Sequence, residues 1–381
     1  MRRKHYNEDH LAFGEAVRAF VGKELSPHHL DWEAAGQVPR EVFTAAGANG
    51  FLGMQIPESY GGGGVSDFRF NQILGEELML AGVGGVGLGI TLHNDICLPY
   101  YLHYCTDEQK QRWLPGIASG ELITAIAMTE PGAGSDLAGM RTSGVADGTD
   151  LIVNGSKTFI TNGINADIVI TAVRTAEDRH KGLTLVVLER GMPGFERGRN
   201  LDKIGLHSQD TAELSFTDVR VPKENILGEM NEGFIYLVSN LAQERMSIAV
   251  AGVAGARASL GWTIDYVRSR KAFGASIGSF QNTRFVLAEL HTETVIARTF
   301  VDECVRQLGT GELTAVDAAM AKWWTTELQN KVADRCLQLH GGYGYMDEYP
   351  VSKAWRDSRV QSIYGGTNEI MKEIVGRSLG L

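Results

Sequence analysis

The spacing of apolar residues divides the chain into three zones. Up to about residue 120, apolar positions recur every three or four residues, which is the period of an amphipathic helix. From roughly residue 122 to 228 they fall in short β-rich runs separated by turn signals, and after about residue 230 the helical spacing returns. The pattern predicts an α+β protein with an N-terminal helical domain (1–121), a middle antiparallel β domain (122–228) and a C-terminal helical bundle (229–381).

Individual elements can be placed within these zones. The stretch 68–80 predicts a helix, and Asn154-Gly155 predicts a hairpin turn between two β-rich runs. The helical pattern over 316–339 ends at Gly341-Gly342, as a helix with a glycine C-cap does. A last helix is expected to begin near Thr367, which suits an N-terminal end. The strand candidates are 151–153, 158–160, 167–173, 183–188 and 212–221.

Composition and charge exclude several classes of function. The chain has 381 residues, of which 43% are hydrophobic and 22% charged, an ordinary globular balance. Its formal net charge of -10 disfavours a surface that neutralises phosphate backbones, so no nucleic-acid partner is expected. The longest uncharged run, 78–92, contains five glycines and is too short to cross a bilayer, so no integral membrane segment is expected.

The start of the chain and the cysteines indicate the compartment. Residues 1–8 are basic but lead into polar positions, unlike a secretory signal. The cysteines form no CxxC pair and predict reduced, mostly buried thiols of a cytosol-like compartment. A bacterial cytoplasm, or the matrix for a processed mitochondrial chain, fits both observations. The four positions are Cys97, Cys105, Cys304 and Cys336.

Two familiar ligand motifs are set aside. Residues 82–87 match the glycine pattern of a dinucleotide-binding turn, but a helical pattern precedes them where that motif needs a strand. We interpret them as a helix end followed by a packing turn. His28, His29 and His340 are the most tempting metal ligands, but adjacent histidines do not share a helix face, so no metal is expected.

Five glycine-bearing segments carry the strongest chemical signal. The first, 127–136, reads Ala-Met-Thr-Glu-Pro-Gly-Ala-Gly-Ser-Asp and offers hydroxyls, backbone N–H groups and glycines that let a flat ligand approach closely. Taken alone, this segment also fits a plain strand-exit turn. The others are 159–163, 270–274 with Gln281, 338–342 and 364–367. In this order the five resemble the acyl-CoA dehydrogenase family over essentially the whole chain, above all its long-chain branch, whose tail is similar to residues 364–373.

The resemblance implies an FAD cofactor and the helical, β, helical fold of that family, with a four-helix bundle at the C-terminus. The residues that would line one side of the isoalloxazine ring are Met128, Thr129, Gly134 and Ser135. Those that would cover its other side are Phe159, Ile160 and Thr161. Many relatives have tryptophan at the position of Phe159, so the resemblance implies stacking that is retained but reduced.

The same resemblance implies that the cofactor is shared between subunits. The residues matching contacts to the diphosphate and adenosine of a neighbouring subunit's FAD are Arg270, Phe273, Gln281, Gln338, Gly341 and Gly342. Thr367 and Glu369 match further FAD contacts at the last helix. A guanidinium suits a diphosphate, and glycines let backbone N–H groups meet phosphate oxygens. Sharing implies an obligate dimer, and the family pattern is a homotetramer built as a dimer of dimers.

The position of the catalytic base is unusual. Most relatives have a glutamate where this chain has Gly365, and glycine cannot accept a proton. In the long-chain and isovaleryl branches the carboxylate precedes an arginine on an earlier helix, and here that pair is Glu244 and Arg245. The resemblance implies that Glu244 removes the α-proton of an acyl-CoA while hydride leaves the β-carbon for the flavin. The residues expected at the substrate are Ser135, Arg245, Tyr364, Gly365 and Gly366.

The expected function is therefore FAD-dependent dehydrogenation of a saturated, long-chain acyl-CoA to a trans-2-enoyl-CoA in fatty-acid β-oxidation. An electron-transfer flavoprotein is the expected electron acceptor. A branched-chain or isovaleryl-type dehydrogenase is the alternative within the family, and an oxidase fits less well because such enzymes are longer. A non-catalytic flavin-binding subunit is the alternative from another class.

Overall fold

A computed structural model describes residues 3–381, so Met1 and Arg2 of the basic start lie outside the described residues. Helices occupy the first part of the chain, strands the middle and helices the remainder. This order confirms the α+β architecture expected from the spacing of apolar residues. Among the described residues, no helix is both long and apolar enough to cross a membrane.

Seven α-helices form the N-terminal part: α1 (Glu8–Phe20), α2 (His29–Ala35), α3 (Glu41–Ala48), α4 (Phe68–Leu80), α5 (Gly84–Thr91), α6 (Leu98–Tyr104) and α7 (Asp107–Ser119). The predicted helix over 68–80 is α4, whose N-cap Asp67 accepts a hydrogen bond from the Arg69 N–H. A π-helical stretch, Leu92–Cys97, joins α5 to α6. Gly82 (φ 77°) follows α4, so the glycine motif at 82–87 contains a helix end, as interpreted, but residues 84–87 begin α5 and do not form a packing turn.

Eight strands form one sheet in the middle of the chain: β1 (Thr124–Ala127), β2 (Ser143–Asp147), β3 (Asp150–Thr161), β4 (Ile168–Arg174), β5 (Leu183–Glu189), β6 (Phe195–Asn200), β7 (Thr211–Val221) and β8 (Ile226–Leu227). Their order is β6-β7-β3-β2-β4-β5-β8, with β1 on β4. The sheet is mixed, because β1 and the end of β2 run parallel to β4. The expected antiparallel pairing holds for most neighbouring strands of this sheet, and these two parallel pairings depart from it.

The predicted hairpin at Asn154-Gly155 is also wrong. Both β-rich runs belong to the single strand β3, which pairs with β7 along its length and shifts register between Val153 and Gly155. Because β3 pairs with the long strand β7, Asn154 and Gly155 form a β-bulge within β3 and not a turn. The hairpin turn lies instead between β2 and β3, where Asp147 pairs with Asp150 around Gly148 (φ 65°).

The C-terminal part consists of long helices: α8 (Gly233–Ser269), α9 (Gln281–Thr310), α10 (Ala315–His340), α11 (Pro350–Ser358) and α12 (Asn368–Ser378). A small hairpin, β9 (Lys271–Ala272) and β10 (Ala275–Ser276), separates α8 from α9. As predicted, α10 ends at Gly341 (φ 59°), and Thr367 caps α12 by accepting a hydrogen bond from the Ile370 N–H.

Helix α8 connects the three parts of the molecule. Its Leu237 belongs to a core that also contains Trp113 of α7 and Leu185 of β5, and its Val250 and Val253 pack in a second core with α9 and α10. All four cysteines are free and buried, in agreement with the prediction. Side chains placed along α8 thus have a fixed position relative to both the sheet and the bundle.

A buried ion pair holds the loop after β1 against β3. The Lys157 Nζ donates to Glu130 Oε1 (2.9 Å) and to the Met128 carbonyl (3.0 Å), and both side chains of the pair are buried. Burial lowers the pKa of Lys157 to about 8, against the opposite effect of Glu130. The Glu130 carboxylate also accepts hydrogen bonds from the backbone of Arg141 and Thr142. One lysine therefore sets the shape of the segment 128–142.

We expect Lys157→Met to reduce the free energy of unfolding by about 3–5 kcal/mol, because it leaves the Glu130 carboxylate buried without its cation. The double variant Lys157→Met/Glu130→Gln should recover a large part of that loss. Urea unfolding at pH 7 measures both. A single variant as stable as the wild type would contradict the role of this pair.

Candidate active site

Glu244 is a buried carboxyl group on α8. Its side chain is 4% exposed, and the hydroxyl of the buried Tyr100 of α6 donates to Oε1 at 2.9 Å. Burial raises the pKa of Glu244 to about 7, while the Tyr100 hydrogen bond and the charge of Arg245 act in the opposite direction. A carboxyl group with a pKa near neutrality is suited to accept a proton in a general-base step.

Arg245 is a buried cation with an unused donor. It is 5% exposed, and its Nε has no hydrogen-bond partner among residues 3–381. Burial lowers the pKa of the guanidinium, and the neighbouring Glu244 raises it. Since an unpaired buried donor is costly, this group is suited to a polar or anionic ligand.

The turn at Gly365 lies against the same face of α8. A Cβ atom at Gly365 (φ 62°) would lie 2.2 Å from Cδ1 of Ile248, one helical turn beyond Glu244. Ile248 of α8 therefore fills the space that a Cβ atom at position 365 would need. Gly365, distant from Glu244 in sequence, therefore lies against the next turn of the same helix.

Lys322 of α10 fixes the turn from its other side. Its Nζ donates to the Gly366 carbonyl at 2.8 Å and to Asn368 Oδ1 at 3.0 Å, and the side chain is fully buried. Burial lowers its pKa to about 8, and the positive charge of Arg245 acts in the same direction. The backbone of the turn is therefore held between α8 and α10.

A long pocket continues from this turn between α4, α5 and α8. Tyr364 lines one part of it, and Ser247, Ala251, Gly255, Ala258 and Trp262 supply the α8 wall. These residues continue the helix face of Glu244 at intervals of three and four, over about 22 Å of helix axis. Most of the remaining wall is apolar, and several glycines leave space for a ligand.

The loop after β1 exposes its backbone where a flat ligand was expected. Glu130 and Ala133 close a tight turn, and a Cβ atom at Gly132 or Gly134 would meet nothing within 4 Å. The Thr158 N–H donates to the Thr129 carbonyl at 2.9 Å, which joins this loop to β3. Met128 and Thr129 are half-buried, and Ser135 is exposed.

The end of β3 places one aromatic ring in the open. Phe159 has φ 60°, an uncommon value for a bulky residue, and is 68% exposed. Thr161 is half-buried, but Ile160 is 2% exposed and packs in the core of the β domain. Alternation along the strand therefore turns the Ile160 side chain inward, away from the surface that Phe159 faces. Only the backbone of Ile160 can reach a ligand there.

The residues expected at a diphosphate lie on the surface at the far end of α8 and α10. Arg270 stacks over the ring of Tyr343 at 5.3 Å, and Phe273 is 99% exposed at φ 50°. The other members of this exposed group are Gln281, Gln338, Gly341 and Gly342. Thr367 and Glu369 lie separately, at the N-terminus of α12.

These residues fit a flavin dinucleotide. An exposed ring and open glycine backbone are suited to a planar ring system, whereas a guanidinium, carboxamides and exposed glycines are suited to phosphates and a nucleoside. The first group lies on the β domain, and the second lies at the C-terminal ends of α8 and α10. The donor set therefore matches the cofactor that the sequence motifs indicated.

Two residues of the site were missed by sequence reasoning. Tyr100 is one of two adjacent tyrosines, and nothing in the sequence distinguishes the one that contacts Glu244. Lys322 interrupts an apolar helical stripe between Ala319 and Trp323, and a charged residue at such a position was a usable signal.

Comparisons with known proteins agree along the whole chain. Three family models match: Acyl-CoA dehydrogenase N-terminal domain (residues 7–121), middle domain (125–219) and C-terminal domain (231–380). The long-chain specific acyl-CoA dehydrogenase, mitochondrial, of Sus scrofa is 48% identical over 380 residues, covering 99% of this chain and 88% of that protein.

Solved structures give the same result. An acyl-CoA dehydrogenase from Geobacillus kaustophilus has a TM-score of 0.97 and 49% identity, with 100% of both chains covered. A glutaryl-CoA dehydrogenase from Mycobacterium smegmatis in complex with FADH2 has a TM-score of 0.92 and 27% identity, covering 99% of this chain and 95% of the other.

We expect Gly365→Ala to reduce the free energy of unfolding by about 1 kcal/mol or more, because φ is positive and the new methyl group would collide with Ile248. Ile248→Val removes the colliding Cδ1 atom. Chemical denaturation of both single variants and the double variant should therefore show a favourable interaction energy between the two substitutions. Strict additivity would mean that this contact does not restrict position 365.

Proposed function

This chain belongs to the acyl-CoA dehydrogenase family of FAD-dependent oxidoreductases, and we propose that it converts a long-chain acyl-CoA to its trans-2-enoyl-CoA in fatty-acid β-oxidation. The observation that carries the proposal is the buried Glu244, with a pKa raised to about 7, on the helix face that continues into a long apolar pocket. Because Gly365 has no side chain that could accept a proton, Glu244 is the proposed base.

Glu244 removes the α-proton of the substrate. The α-hydrogen of a thioester is weakly acidic, so the base must lie close to it and must not be too weak. Desolvation strengthens Glu244 as a base, and the hydrogen bond from Tyr100 holds one carboxylate oxygen in place, which leaves the other for the proton. Arg245 supports the substrate end of the pocket, where its free Nε can donate.

The turn at 364–366 holds the thioester carbonyl. Negative charge develops on that oxygen as the proton leaves, and backbone N–H groups near Gly365 would stabilise it. Lys322 and Ile248 fix this turn from opposite sides, so the donors do not need to reorganise during the reaction. Ser135 and Tyr364 complete the substrate contacts.

FAD, when bound, supplies the acceptor for the hydride that leaves the β-carbon. The residues that would hold its ring are Met128, Thr129, Gly134, Ser135, Phe159, Thr161 and the backbone of Ile160. The exposed group around Arg270 would hold the diphosphate and adenosine of a neighbouring subunit, together with Thr367 and Glu369 of α12. This sharing supports a homotetramer, and an electron-transfer flavoprotein is the proposed acceptor of the electrons.

The length of the pocket supports a long acyl chain. Its α8 wall runs over about 22 Å, and a short branched acyl group such as isovaleryl would leave most of that length empty. The intact Glu244 supports catalysis over the alternative of a non-catalytic flavin-binding subunit. Both alternatives are decided by the experiment that follows.

Anaerobic titration of the flavin-loaded protein with acyl-CoAs of increasing length should bleach the visible flavin band, most effectively with long chains. Glu244→Gln should slow the bleaching by about 10²- to 10⁴-fold, the usual contribution of a general base. Retained flavin colour in the variant shows that it still binds FAD. A wild-type protein that no acyl-CoA bleaches would overturn the proposed function, and a preference for isovaleryl-CoA would replace its substrate.

The bleaching rate should rise with pH through about 7, because only the ionised Glu244 accepts a proton. Tyr100→Phe removes a hydrogen bond that favours the ionised form, so the midpoint should move to higher pH. Tyr101→Phe is the matched control, since the buried Tyr101 hydroxyl has no partner in the part of the chain that the structure describes. Equal shifts in both variants would contradict the assigned role of Tyr100.

A further inference from the structure

The pocket beyond Glu244 contains a group of polar side chains that the proposed reaction does not use. Asp95, in the π-helical stretch, accepts hydrogen bonds from Asn71 Nδ2 of α4 (2.7 Å) and from Ser247 Oγ of α8 (2.5 Å). All three residues line the pocket and are buried. We call Asn71, Asp95 and Ser247 the polar triad.

The polar triad has an unused hydrogen-bond acceptor. Because Asn71 donates its Nδ2 to a carboxylate, its amide orientation is fixed and Oδ1 is the free atom. That oxygen has no partner within residues 3–381, although Asn71 is only 3% exposed. Asp95 forms no salt bridge with a described residue, and burial raises its pKa to about 6.

An unsubstituted hydrocarbon chain does not suit this part of the pocket. It would cover the Asn71 oxygen without supplying a donor, and leaving a buried acceptor without a partner costs free energy. A group with an O–H donor removes that cost. A π-helical segment adds one residue to a helical turn, and here it places Asp95 at the pocket wall.

We propose that the acyl chain of the preferred substrate carries a hydroxyl group that donates to Asn71 Oδ1 in the polar triad. The inference rests on the proposed function, because it assumes that the pocket holds the acyl chain. Ser247 follows Glu244 by three residues, about 4.5 Å along the helix axis, so the hydroxyl lies a few methylene groups beyond the reacting carbons.

The test is a binding measurement that does not require turnover. Hexadecanoyl-CoA and a series of hydroxyhexadecanoyl-CoA isomers are titrated by calorimetry into the flavin-loaded Glu244→Gln variant. We expect one isomer, or two adjacent ones, to bind about tenfold more tightly than the unsubstituted chain, as a net gain of one hydrogen bond to a prepared site allows. Equal affinity for all isomers and the unsubstituted chain would overturn the proposal and indicate that water satisfies the triad.

Two variants locate the effect. Asn71→Leu, in the same background, should abolish the preference while hexadecanoyl-CoA still binds. Thr91→Val is the matched control, since Thr91 lines the pocket one turn before Asp95 but donates within its own helix, to the Gly87 carbonyl. A preference that persists in Asn71→Leu, or is lost in Thr91→Val, would exclude the triad as its source.

The two proposals fail in different ways. If the dehydrogenation is wrong, wild-type protein does not bleach with any acyl-CoA. If only the hydroxyl is wrong, wild-type protein bleaches and the isomers bind alike. Should Asn71→Leu fail to fold, the comparison of isomers without that substitution still decides the proposal.

Discussion

The burial of the Glu244 carboxyl group, which lies on α8 and contacts α6, is the constraint on which the rest of the site depends. Burial of Glu244 destabilises its ionised form and so raises its pKa. The hydrogen bond from the Tyr100 hydroxyl opposes this rise but does not neutralise the charge. A full salt bridge would have made the carboxylate a poor base. Arg245 lies next in sequence, yet no ion pair with Glu244 forms among the described residues. The ionised form of the proposed base is therefore only weakly stabilised by its surroundings.

The packing around Gly365 follows from the same constraint. The proposed base lies on α8, and the turn at Gly365 has no carboxylate of its own, because Ile248 fills the space that a side chain there would need. Lys322 then fixes the turn through backbone and amide oxygens rather than through a charge at position 365. An apolar contact from α8 and a buried lysine from α10 together hold this turn.

Much of this arrangement could be predicted from the sequence, since it depends on local patterns. The helix period located α4 to the residue, and glycine and threonine located the ends of α10 and α12. The hairpin at Asn154-Gly155 was predicted wrongly because the pairing of β3 with β7, a non-local interaction, overrides a local turn signal. The polar triad was not found for a similar reason: its members lie 24 and 152 residues apart in hydrogen-bonded pairs, on three elements. Each of them alone resembles an ordinary polar helix residue.

The length of α8 has a consequence for the unit of catalysis. Glu244 and Arg270 are 26 residues apart on one nearly continuous helix, which separates them by about 39 Å. In the proposed arrangement, a flavin beside Glu244 therefore takes its diphosphate contacts from the Arg270 of a neighbouring subunit. Under that proposal each catalytic centre is composite, with the base and the arginine at the diphosphate coming from different copies. A chain that lacks Glu244 and a chain that lacks Arg270 would each be inactive alone. When the two assemble together, some centres would contain both residues, so the two defects would complement each other.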